Sequence, residues 1–356
     1  MTKRLKILIS PLDWGLGHAT RLVPLLRYLQ RQKHLLIIGV SDLNEHFLRS
    51  QIPDAEFVHV PSYDIVYNGH NSVYSLVKVL PKIISGKKNE HKWLEKFVET
   101  RHIDLIISDS RFGLFHPNIK SIIISHQLNF QYPKSLSLFG AYAQIMNTKW
   151  LKEFDAVWVP DTASHRLSGN LSENEDLDKV FINPQSRFVP QDLERRIKEN
   201  YVLCIISGPE PQRSIFEDLL ISQAKDIFKK LVIVGGKPQE NTEKIGLPNV
   251  IYFNHLADAD MQSYIKHADL IISRSGYSSI MDYCALSCKH LFLVPTPSQT
   301  EQIYLAKRLK EQAICDFEFQ ERFRLSKAVL SDVSKWKGFS APELVNNDVL
   351  FESLIN

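Results

Sequence analysis

The first loop with residue types suited to chemistry is Pro11–Arg21, in which Gly15 and Gly17 precede His18 at the expected start of a helix. Glycines let the backbone turn tightly and approach a ligand, and the N-terminus of a helix attracts negative charge. A histidine titrates near neutrality, so His18 could take a proton from a hydroxyl group. We predict that the glycines lie beside a bound nucleotide and that His18 is a catalytic base. The alternative is a histidine that only caps the helix.

A dinucleotide site is another interpretation of the same loop. The G-x-G-x-x-G fingerprint of such sites needs a third glycine where this chain has Thr20. Asp42, after the second expected strand, could serve as the acid that binds the ribose. A G-x-G pair alone is weak evidence, and the alternative stays open.

A second loop, in the latter half of the chain, contains Ser207, Gly208 and Arg213. The amides of Ser207 and Gly208 could meet a diphosphate, and the planar guanidinium of Arg213 could neutralise it. An ordinary capped turn with a solvated arginine would have the same sequence.

A third loop begins at an expected strand end, Ser273, and continues through small residues into a helix. Gly276 and the amides after it would form an anion site at the helix N-terminus. Asp282, further along the helix, could accept hydrogen bonds from two ribose hydroxyls, and polar groups after the next strand suit a sugar. The residues of this region that we predict to bind the nucleotide or the sugar are Arg274, Ser275, Gly276, Tyr277, Asp282, Glu301 and Gln302.

Short apolar runs rich in Ile, Val and Leu must position these loops. Continuous runs of this kind suit strands buried on both faces, as in a parallel sheet covered by helices. The expected strands are 6–10, 35–40, 57–60, 105–108, 122–125 and 156–159, then 202–206, 231–234, 250–253, 270–272, 291–294 and 313–315. We therefore predict an α/β protein of two Rossmann-like, doubly wound parallel-sheet domains.

The domain boundaries follow from composition. We predict an N-terminal domain over 1–165, a polar linker over 166–198, a C-terminal domain over 199–330 and a helical segment over 331–356 that packs back on the first domain. Ligands of such folds bind beyond the carboxyl ends of the strands. We therefore expect the two domains to face each other across a cleft that holds the site.

The composition excludes several classes of protein. With 44% hydrophobic and 23% charged residues the chain is typical of a soluble globular protein, and its net charge of +3 is too weak to indicate nucleic acid. The four cysteines form no CxxC pair, so we expect buried apolar residues and no zinc site. No apolar run is long enough for a signal peptide or a membrane span, which predicts a cytoplasmic protein.

The sequence does not indicate a metal site. Asp258-Ala259-Asp260 imitates a metal-binding D-x-D, but it precedes an expected helix, and we assign it to a helix cap. No other carboxylate pair has a convincing magnesium spacing. We predict no metal and no cofactor, because amides and helix dipoles can stabilise a leaving diphosphate.

Lysines are spread through an otherwise apolar stretch between residues 73 and 96. A mixed basic and apolar surface suits anionic lipid headgroups, which would give a peripheral contact with the inner face of a membrane. A solvated helix face with a core stripe would produce the same pattern, and both interpretations stay open. The lysines are Lys78, Lys82, Lys87, Lys88, Lys92 and Lys96.

The stretch from Ile251 to Cys315 resembles the donor domain of the MurG-like enzymes of glycosyltransferase family 28. That family has a strand ending in S/C-R-S/A-G, a carboxylate six residues after the glycine, and a later Q-Q pair. The loop before His18 is similar to the family's G-x-G-G-H, and the segment 125–129 is similar to its H-E-Q-N. The matching donor residues here are Ser273-Arg274-Ser275-Gly276, Asp282 and Glu301-Gln302. The family has glutamate in place of Asp282 and glutamine in place of Glu301, so the donor sugar stays open.

The resemblance implies a GT-B fold and an inverting, metal-independent transfer of a sugar from a nucleotide diphosphate, UDP in this family, to a hydroxyl acceptor. His18 would be the base, and Asp109, at a strand end, is a second catalytic candidate that could orient the acceptor or assist His18. His126 and Asn129 would face the acceptor, a lipid or a glycan. A UDP-sugar 2-epimerase of the same fold and a non-catalytic nucleotide-sugar-binding subunit remain as alternatives.

Overall fold

The computed structural model describes residues 4–63, 73–132, 137–189, 191, 193–237, 246–340 and 347–355, without the side chains of 43 and 73–79. The chain divides into two compact units. The first comprises Met1–Val66, Ser72–Arg187 and Glu343–Asn356, and the second comprises Phe188–Pro342. Each unit contains one parallel sheet.

The described part of the first unit is built on a seven-stranded parallel sheet. Its strands are β1 (Lys6–Pro11), β2 (Leu35–Val40), β3 (Glu56–His59), β4 (Leu105–Asp109), β5 (Lys120–Ile124), β6 (Ala156–Val159) and β7 (Lys179–Phe181), in the order β3-β2-β1-β4-β5-β6-β7. The helices before β7 are α1 (Leu16–Arg31), α2 (Asp42–Gln51), α3 (Val73–Thr100) and α4 (Ser137–Leu151).

Strand β1 shows why the apolar runs form a sheet that is covered on both sides. Ile7 and Ile9 pack in a core cluster with residues of α1, whereas Leu8 packs in a second cluster with Leu94 of α3. Alternate residues of a strand point to opposite faces, so a strand between two helical layers has to be apolar throughout. The three side chains are fully buried.

The second unit has a six-stranded parallel sheet in its described residues. The strands are β8 (Tyr201–Ile205), β9 (Lys230–Val234), β10 (Val250–Phe253), β11 (Leu270–Ser273), β12 (Leu291–Leu293) and β13 (Asp316–Phe317), in the order β10-β9-β8-β11-β12-β13. The helices are α5 (Gln212–Ala224), α6 (Asp258–His267), α7 (Tyr277–Ala285), α8 (Thr300–Glu311) and α9 (Leu325–Val329). The two parallel α/β sheets confirm the predicted fold class.

A last helix, α10 (Asn347–Ile355), belongs to the first unit. The ring of Phe351 is fully buried and lies 5.4 Å from the ring of Tyr28 and 6.3 Å from that of Trp158, measured between centroids. Arg31 of α1 also binds the carboxylate of Asp348 at 2.7 Å. Apolar and ionic contacts therefore attach the end of the chain to α1.

Two segments differ from the sequence-based expectation. The stretch 166–198, expected to be a linker, contains a 3-10 turn over Gly169–Ser172 and strand β7, which pairs with β6 through Trp158 and Val180. The strand expected over 313–315 lies instead at Asp316–Phe317, because Ala313 has a φ of 56° and belongs to the preceding turn. Both are short, polar-flanked strands at the edge of a sheet, where burial on two faces is not required.

Two further predictions concern side chains and helix length. All four cysteines are buried and free of disulfides. In the described ranges, every helix is too short or too polar to cross a lipid bilayer.

Candidate active site

In each sheet the strand order reverses at one point, and the predicted loops follow the two strands that lie on either side of that point. In the first unit the neighbouring strands β1 and β4 pair Pro11 with Asp109. In the second unit β8 and β11 pair Ile205 with Ser273. Open α/β sheets bind ligands beyond the carboxyl ends of the strands at such points, because the two adjacent loops diverge there.

The turn after β1 depends on a glycine. Gly15 has φ 90° and ψ 175°, a backbone conformation that is almost restricted to glycine, and α1 starts at the next residue. His18 therefore lies in the first turn of α1, where the N–H groups lack intrahelical acceptors.

His18, Asp109 and Arg21 form a hydrogen-bonded cluster. Nδ1 of His18 lies 2.9 Å from Oδ1 of Asp109, whose side chain is fully buried at the end of β4. Arg21, three residues after His18 on the same face of α1, donates from Nε to Oδ2 of Asp109 at 2.7 Å and from a terminal nitrogen to Oδ1. A carboxylate held by two such donors has a fixed orientation.

The charges of this cluster determine its protonation. Burial alone would raise the pKa of Asp109, but the charge of Arg21 and the hydrogen bonds of Arg21 and His18 hold it well below the usual range. Burial, followed by the positive charge of Arg21, lowers the pKa of His18 against the opposing influence of Asp109. Asp109 is thus an anion and His18 a neutral imidazole. Because a carboxylate only accepts, Nδ1 of His18 carries the proton and Nε2 has the lone pair of a base.

The segment after β5 adds a second histidine to the cluster. Arg21 Nη1 lies 3.1 Å from Nδ1 of His126, and both side chains are buried. Asn129, also predicted to face the acceptor, lies elsewhere, in a groove of about 540 Å³ beside α4 that Gln144 and Thr148 also line.

A buried arginine, Arg111, lies in the turn that follows Asp109 and connects it to neighbouring segments by hydrogen bonds. Arg111 is fully buried and donates to the carbonyl oxygen of Pro11 at 2.7 Å and to that of Pro61 at 2.9 Å. Its terminal nitrogen is also 2.6 Å from Oε1 of Glu90, a buried residue of α3. Burial raises the pKa of Glu90, and Arg111 opposes this shift. Arg111 therefore ties the loops after β1 and β3 to α3 and limits their movement around the cluster.

In the second unit, the loop after β8 lies against the loop after β12. Gly208 has a φ of 103°, and a Cβ added to it would lie 3.4 Å from Oγ1 of Thr296. That hydroxyl is buried and makes no hydrogen bond within the described part of the chain. An unsatisfied buried hydroxyl costs free energy, so this group is suited to a ligand oxygen.

Arg213 differs from its predicted role as a diphosphate ligand. Its terminal nitrogens bind the carboxylate of Glu210 and, at 3.1 Å, the carbonyl oxygen of Gly235, and a further nitrogen–oxygen pair lies 3.4 Å away at Glu217. The side chain is 13% exposed. The two carboxylates already compensate its charge, so Arg213 is placed to hold the α5 N-terminus to the end of β9.

Arg274 is likewise a structural residue, in contrast to the prediction that it contacts the donor. Its terminal nitrogens donate to the backbone of Gln212 at 2.8 Å and of Val294 at 3.1 Å and to the side chain of Gln320 at 2.6 Å. The guanidinium also lies 4.2 Å from the centroid of the Phe216 ring. Burial lowers its pKa to about 9. Arg274 thus connects the segments that follow β8, β11 and β12.

Ser275, Gly276 and Gln302 are brought together at the N-terminus of α7. Ser275 Oγ donates to the carbonyl oxygen of Gln302 at 2.8 Å, and Oε1 of Gln302 accepts from the amide of Thr296 at 2.9 Å. Gly276 is the N-cap of α7, whose first turn starts at Tyr277, and its carbonyl oxygen accepts from the amide of Ile280 at 3.0 Å. These contacts place a helix N-terminus beside the loop that contains Thr296.

The remaining predicted donor residues lie on α7 and α8. Asp282 is half-buried within α7, and Glu301 is half-buried in the first turn of α8. The Asp258-Ala259-Asp260 segment forms the first turn of α6, with Ala257 at the N-cap, and Asp260 pairs with Arg196 at 2.7 Å. Acidic residues in a first helical turn stabilise the helix through its dipole.

The lysines of α3 are mostly exposed to solvent. Lys87 instead pairs with Glu153 and lies 5.5 Å from the ring of Trp150, which connects α3 to the end of α4. Trp93 stacks on Phe97 against the core, at 4.8 Å between centroids. The exposed ones are Lys82, Lys88, Lys92 and Lys96, while the side chains of 73–79, including Lys78, lie outside the described residues.

Helix α4 has an exposed apolar stripe that the sequence analysis missed. Leu138, Tyr142 and Ile145 are 88%, 52% and 67% exposed, and exposed Lys149 and Lys152 follow them. The spacing of three to four residues places these side chains on one face. That spacing was visible in the sequence, but whether the stripe faces a core or solvent was not.

Arg21 and Thr296 were also missed as functional candidates. Arg21 follows His18 by three residues on α1, a spacing that puts both on one face of a helix and could have drawn attention to it. Nothing comparable marks Thr296, because its position depends on how the loops after β8 and β12 meet.

Comparisons with known proteins concern the fold and the second unit. Residues 202–337 match the family model of the Glycosyltransferase family 28 C-terminal domain. A UDP-N-acetylglucosamine--N-acetylmuramyl-(pentapeptide) pyrophosphoryl-undecaprenol N-acetylglucosamine transferase of Sulfurihydrogenibium sp. is 31% identical over 132 residues, which are 36% of this chain and 35% of that protein. The chain thus matches about a third of the length of this relative.

Solved structures extend the likeness to nearly the whole chain. The glycosyltransferase SnogD from Streptomyces nogalater has a TM-score of 0.67 at 11% identity and covers 99% of both chains. MurG of Acinetobacter baumannii has a TM-score of 0.56 at 12% identity, over 98% of this chain and 99% of that one. At such identities the likeness shows the fold. The chain therefore has the GT-B fold, and residues 202–337 of its second unit are similar to the glycosyltransferase family 28 C-terminal domain.

Proposed function

We propose that this protein transfers a sugar from a nucleoside-diphosphate donor, UDP-linked, to a hydroxyl acceptor, with inversion and without a metal ion. The observation that carries the proposal is the 2.9 Å contact between His18 and the fully buried Asp109. It leaves a neutral imidazole with a lone pair on Nε2, and the ring is partly exposed. A base of this kind is what a hydroxyl nucleophile requires.

The transfer is a single displacement. Nε2 of His18 takes the proton of the acceptor hydroxyl while the oxygen attacks the anomeric carbon. The bond from that carbon to the diphosphate oxygen breaks, and the diphosphate leaves with the electron pair. The proton stays on His18, where Asp109 stabilises the imidazolium. One attack from the face opposite the leaving group inverts the anomeric centre.

The second unit supplies the donor site in this proposal. Amides at the α7 N-terminus and the buried hydroxyl of Thr296 would bind the diphosphate. Asp282 would accept from the ribose hydroxyls, and Glu301 would contact the sugar. Fixed dipoles stabilise a leaving anion without reorganising, so the chemistry requires no cation.

Sequence relatives support the choice of nucleotide and acceptor. The related protein of Sulfurihydrogenibium sp. is named for a UDP-N-acetylglucosamine donor and a pyrophosphoryl-undecaprenol acceptor. We therefore assign UDP as the nucleotide and a lipid-linked or glycan hydroxyl as the acceptor class.

Calorimetric titration with UDP tests the donor site directly. We expect binding in the presence of EDTA, unchanged by magnesium, and about tenfold or greater weakening in Asp282→Ala. Asp226→Ala is the matched control, since Asp226 is exposed just after the C-terminal end of α5. No binding of UDP, or binding lost only on EDTA treatment, would contradict the proposal.

A mass-spectrometric screen of UDP-sugars against lipid and glycan acceptors tests the reaction. Formation of a glycosylated acceptor with release of UDP is the expected result. A sugar isomer produced without acceptor would show a 2-epimerase instead. A non-catalytic subunit would retain its cellular function in His18→Ala and lose it in Asp282→Ala.

The exposed stripe of α4 supports contact with an anionic membrane as part of this function. Leu138, Tyr142 and Ile145 present an apolar face, and Lys149 and Lys152 extend it with positive charge. The Lys87–Glu153 pair connects this end of α4 to α3 and its exposed lysines. A helix with an apolar face and a basic flank binds at an anionic lipid interface. We therefore propose that α4, and not α3 alone, makes the membrane contact.

Co-sedimentation with vesicles tests the membrane contact. We expect binding to vesicles with phosphatidylglycerol, weaker binding to pure phosphatidylcholine, and loss of binding when Leu138, Tyr142 and Ile145 are all changed to serine. The matched control changes Phe228 and Leu330, exposed apolar residues of the second unit, to serine. Equal loss in both variants, or self-association that only the α4 variant abolishes, would contradict a lipid partner.

A further inference from the structure

Arg21 lies at the centre of the cluster in the first unit, where it contacts other groups besides Asp109. Arg21 is 3% exposed, and its guanidinium contacts three polar groups of the site. Nε donates to Asp109 at 2.7 Å, Nη1 lies 3.1 Å from Nδ1 of His126, and Nη2 lies 3.2 Å from Oγ of Ser110. His18 and His126 are thus joined through one Asp109–Arg21 pair.

The chemistry of these partners fixes where the protons are. A guanidinium only donates, so Nδ1 of His126 accepts and its ring proton is on Nε2. A carboxylate only accepts, so the proton of His18 is on Nδ1. The two imidazoles therefore have opposite tautomers, although both use Nδ1 for the contact.

We propose that Arg21 is a positioning residue: it holds the Asp109 carboxylate that keeps the proton of a neutral His18 on Nδ1, and it donates to Nδ1 of His126, which keeps His126 an Nε2–H imidazole. The planar fork of an arginine serves Asp109 and His126 at once, which a lysine ammonium cannot do with the same geometry. The role of His18 as a base rests on the proposed function. The tautomers do not, because they follow from the contacts alone.

Electrostatics support the same role. The titratable and charged groups that face His18 in the described part of the chain are Arg21 on α1, Asp109 on β4 and His126 after β5. Burial lowers the pKa of His18 most, the charge of Arg21 lowers it further, and Asp109 raises it. Without the guanidinium, the carboxylate would favour a charged His18, which has no lone pair for a proton.

Nitrogen NMR of histidine-labelled full-length protein tests this assignment without a substrate. His18→Gln and His126→Gln identify the two ring signals. In the unaltered protein we expect the Nδ1–H form for His18 and the Nε2–H form for His126. In Arg21→Met we expect the His18 midpoint to rise by about one pH unit and His126 to populate both tautomers.

Two further variants separate charge, geometry and folding. Arg21→Lys keeps the charge, so the His18 midpoint should stay low while His126 still mixes its tautomers. Arg27→Met is the matched control on α1, since Arg27 binds Gln51 and the carbonyl oxygen of Arg187; both histidine signals should be unchanged.

The outcomes decide the proposal. His126 in the Nδ1–H form, or unaltered His18 and His126 signals in folded Arg21→Met and Arg21→Lys, would overturn it. If Arg21→Met does not fold, the tautomers of the unaltered protein and of Arg21→Lys still decide. A protein that fails to bind UDP but shows the expected tautomers would reject the proposed function and leave this inference standing.

Discussion

At the residue scale, the neutral state of His18 makes a prediction about pH. The unprotonated imidazole is the active form, so kcat/KM should rise with pH through the pKa of His18 and then level off. Because burial and Arg21 lower that pKa, the midpoint of the rise should lie below about 6.5, the ordinary value for histidine. A pH profile of sugar transfer measures this. An acid limb centred above the ordinary value would show that another group limits the reaction.

Replacing either member of the His18–Asp109 pair should affect catalysis and not donor binding. His18→Ala removes the base and should lower kcat by a factor of about 10² to 10⁴. Asp109→Asn should reduce kcat as well, because its amide group can turn the Nδ1 side of His18 from donor to acceptor. UDP affinity, measured by calorimetry, should be unchanged in both, since the proposed donor residues lie in the second unit. A kcat close to that of the unaltered enzyme in His18→Ala would remove this residue from the mechanism.

A substitution of Thr296 that removes only its hydroxyl group separates the effect on UDP binding from the effect on folding stability. Thr296→Val replaces a buried hydroxyl, which has no hydrogen-bond partner among the described residues, by a methyl group of similar size. Folding stability should therefore stay the same or increase, because no buried polar group is left unsatisfied. UDP affinity should fall by about tenfold, the effect of about one hydrogen bond to a charged group. Urea unfolding and calorimetry give the two values, and unchanged affinity would place the diphosphate elsewhere.

At the scale of elements, we expect the turn between β1 and α1 to be destabilised by replacement of Gly15. Gly15→Ala would place a Cβ in open space, so any loss comes from the backbone at φ 90° and ψ 175°. Such a conformation costs about 1 to 3 kcal/mol for a residue other than glycine. Gly246→Ala is the control, because that Cβ is also unobstructed and the φ is ordinary. Urea unfolding of both variants compares them, and equal stabilities would show that the turn relaxes.

The sequence predicted best those features that depend on a single element, such as the position of a strand. Strands such as β1 and β4 are apolar throughout because helices cover both faces, so their positions and the loops after them could be predicted. Strands β7 and β13 are short edge strands with weaker apolar patterns, and they were missed or displaced. Side-chain partners depend on tertiary contacts. From the local sequence alone, Arg274 and Arg213 could not be distinguished from phosphate ligands. In the structure, Arg274 is buried and bonded to backbone carbonyl oxygens, and Arg213 pairs with carboxylates.

At the scale of the whole molecule, the chain returns to its first unit after completing the second. Helix α10 buries Phe351 completely against Tyr28 and Trp158, and Ile355 joins the same core. The first unit therefore depends on residues from both ends of the chain. This connection predicts that changes in α10 act on the first unit, which contains His18.

Phe351→Ala should destabilise the first unit by about 3 to 5 kcal/mol, because it removes a buried aromatic ring and leaves a cavity. Val349→Ala is the matched control on α10, where the side chain is 59% exposed. Urea unfolding followed by the fluorescence of Trp158, with the four other tryptophans changed to phenylalanine in all compared proteins, reports on this unit. The free energy of unfolding should fall in Phe351→Ala and stay within about 0.5 kcal/mol in Val349→Ala. If the contacts of the Phe351 ring with Tyr28 and Trp158 stabilise the fold, removing the ring must lower the stability. Equal stabilities would therefore mean that α10 is dispensable for the first unit.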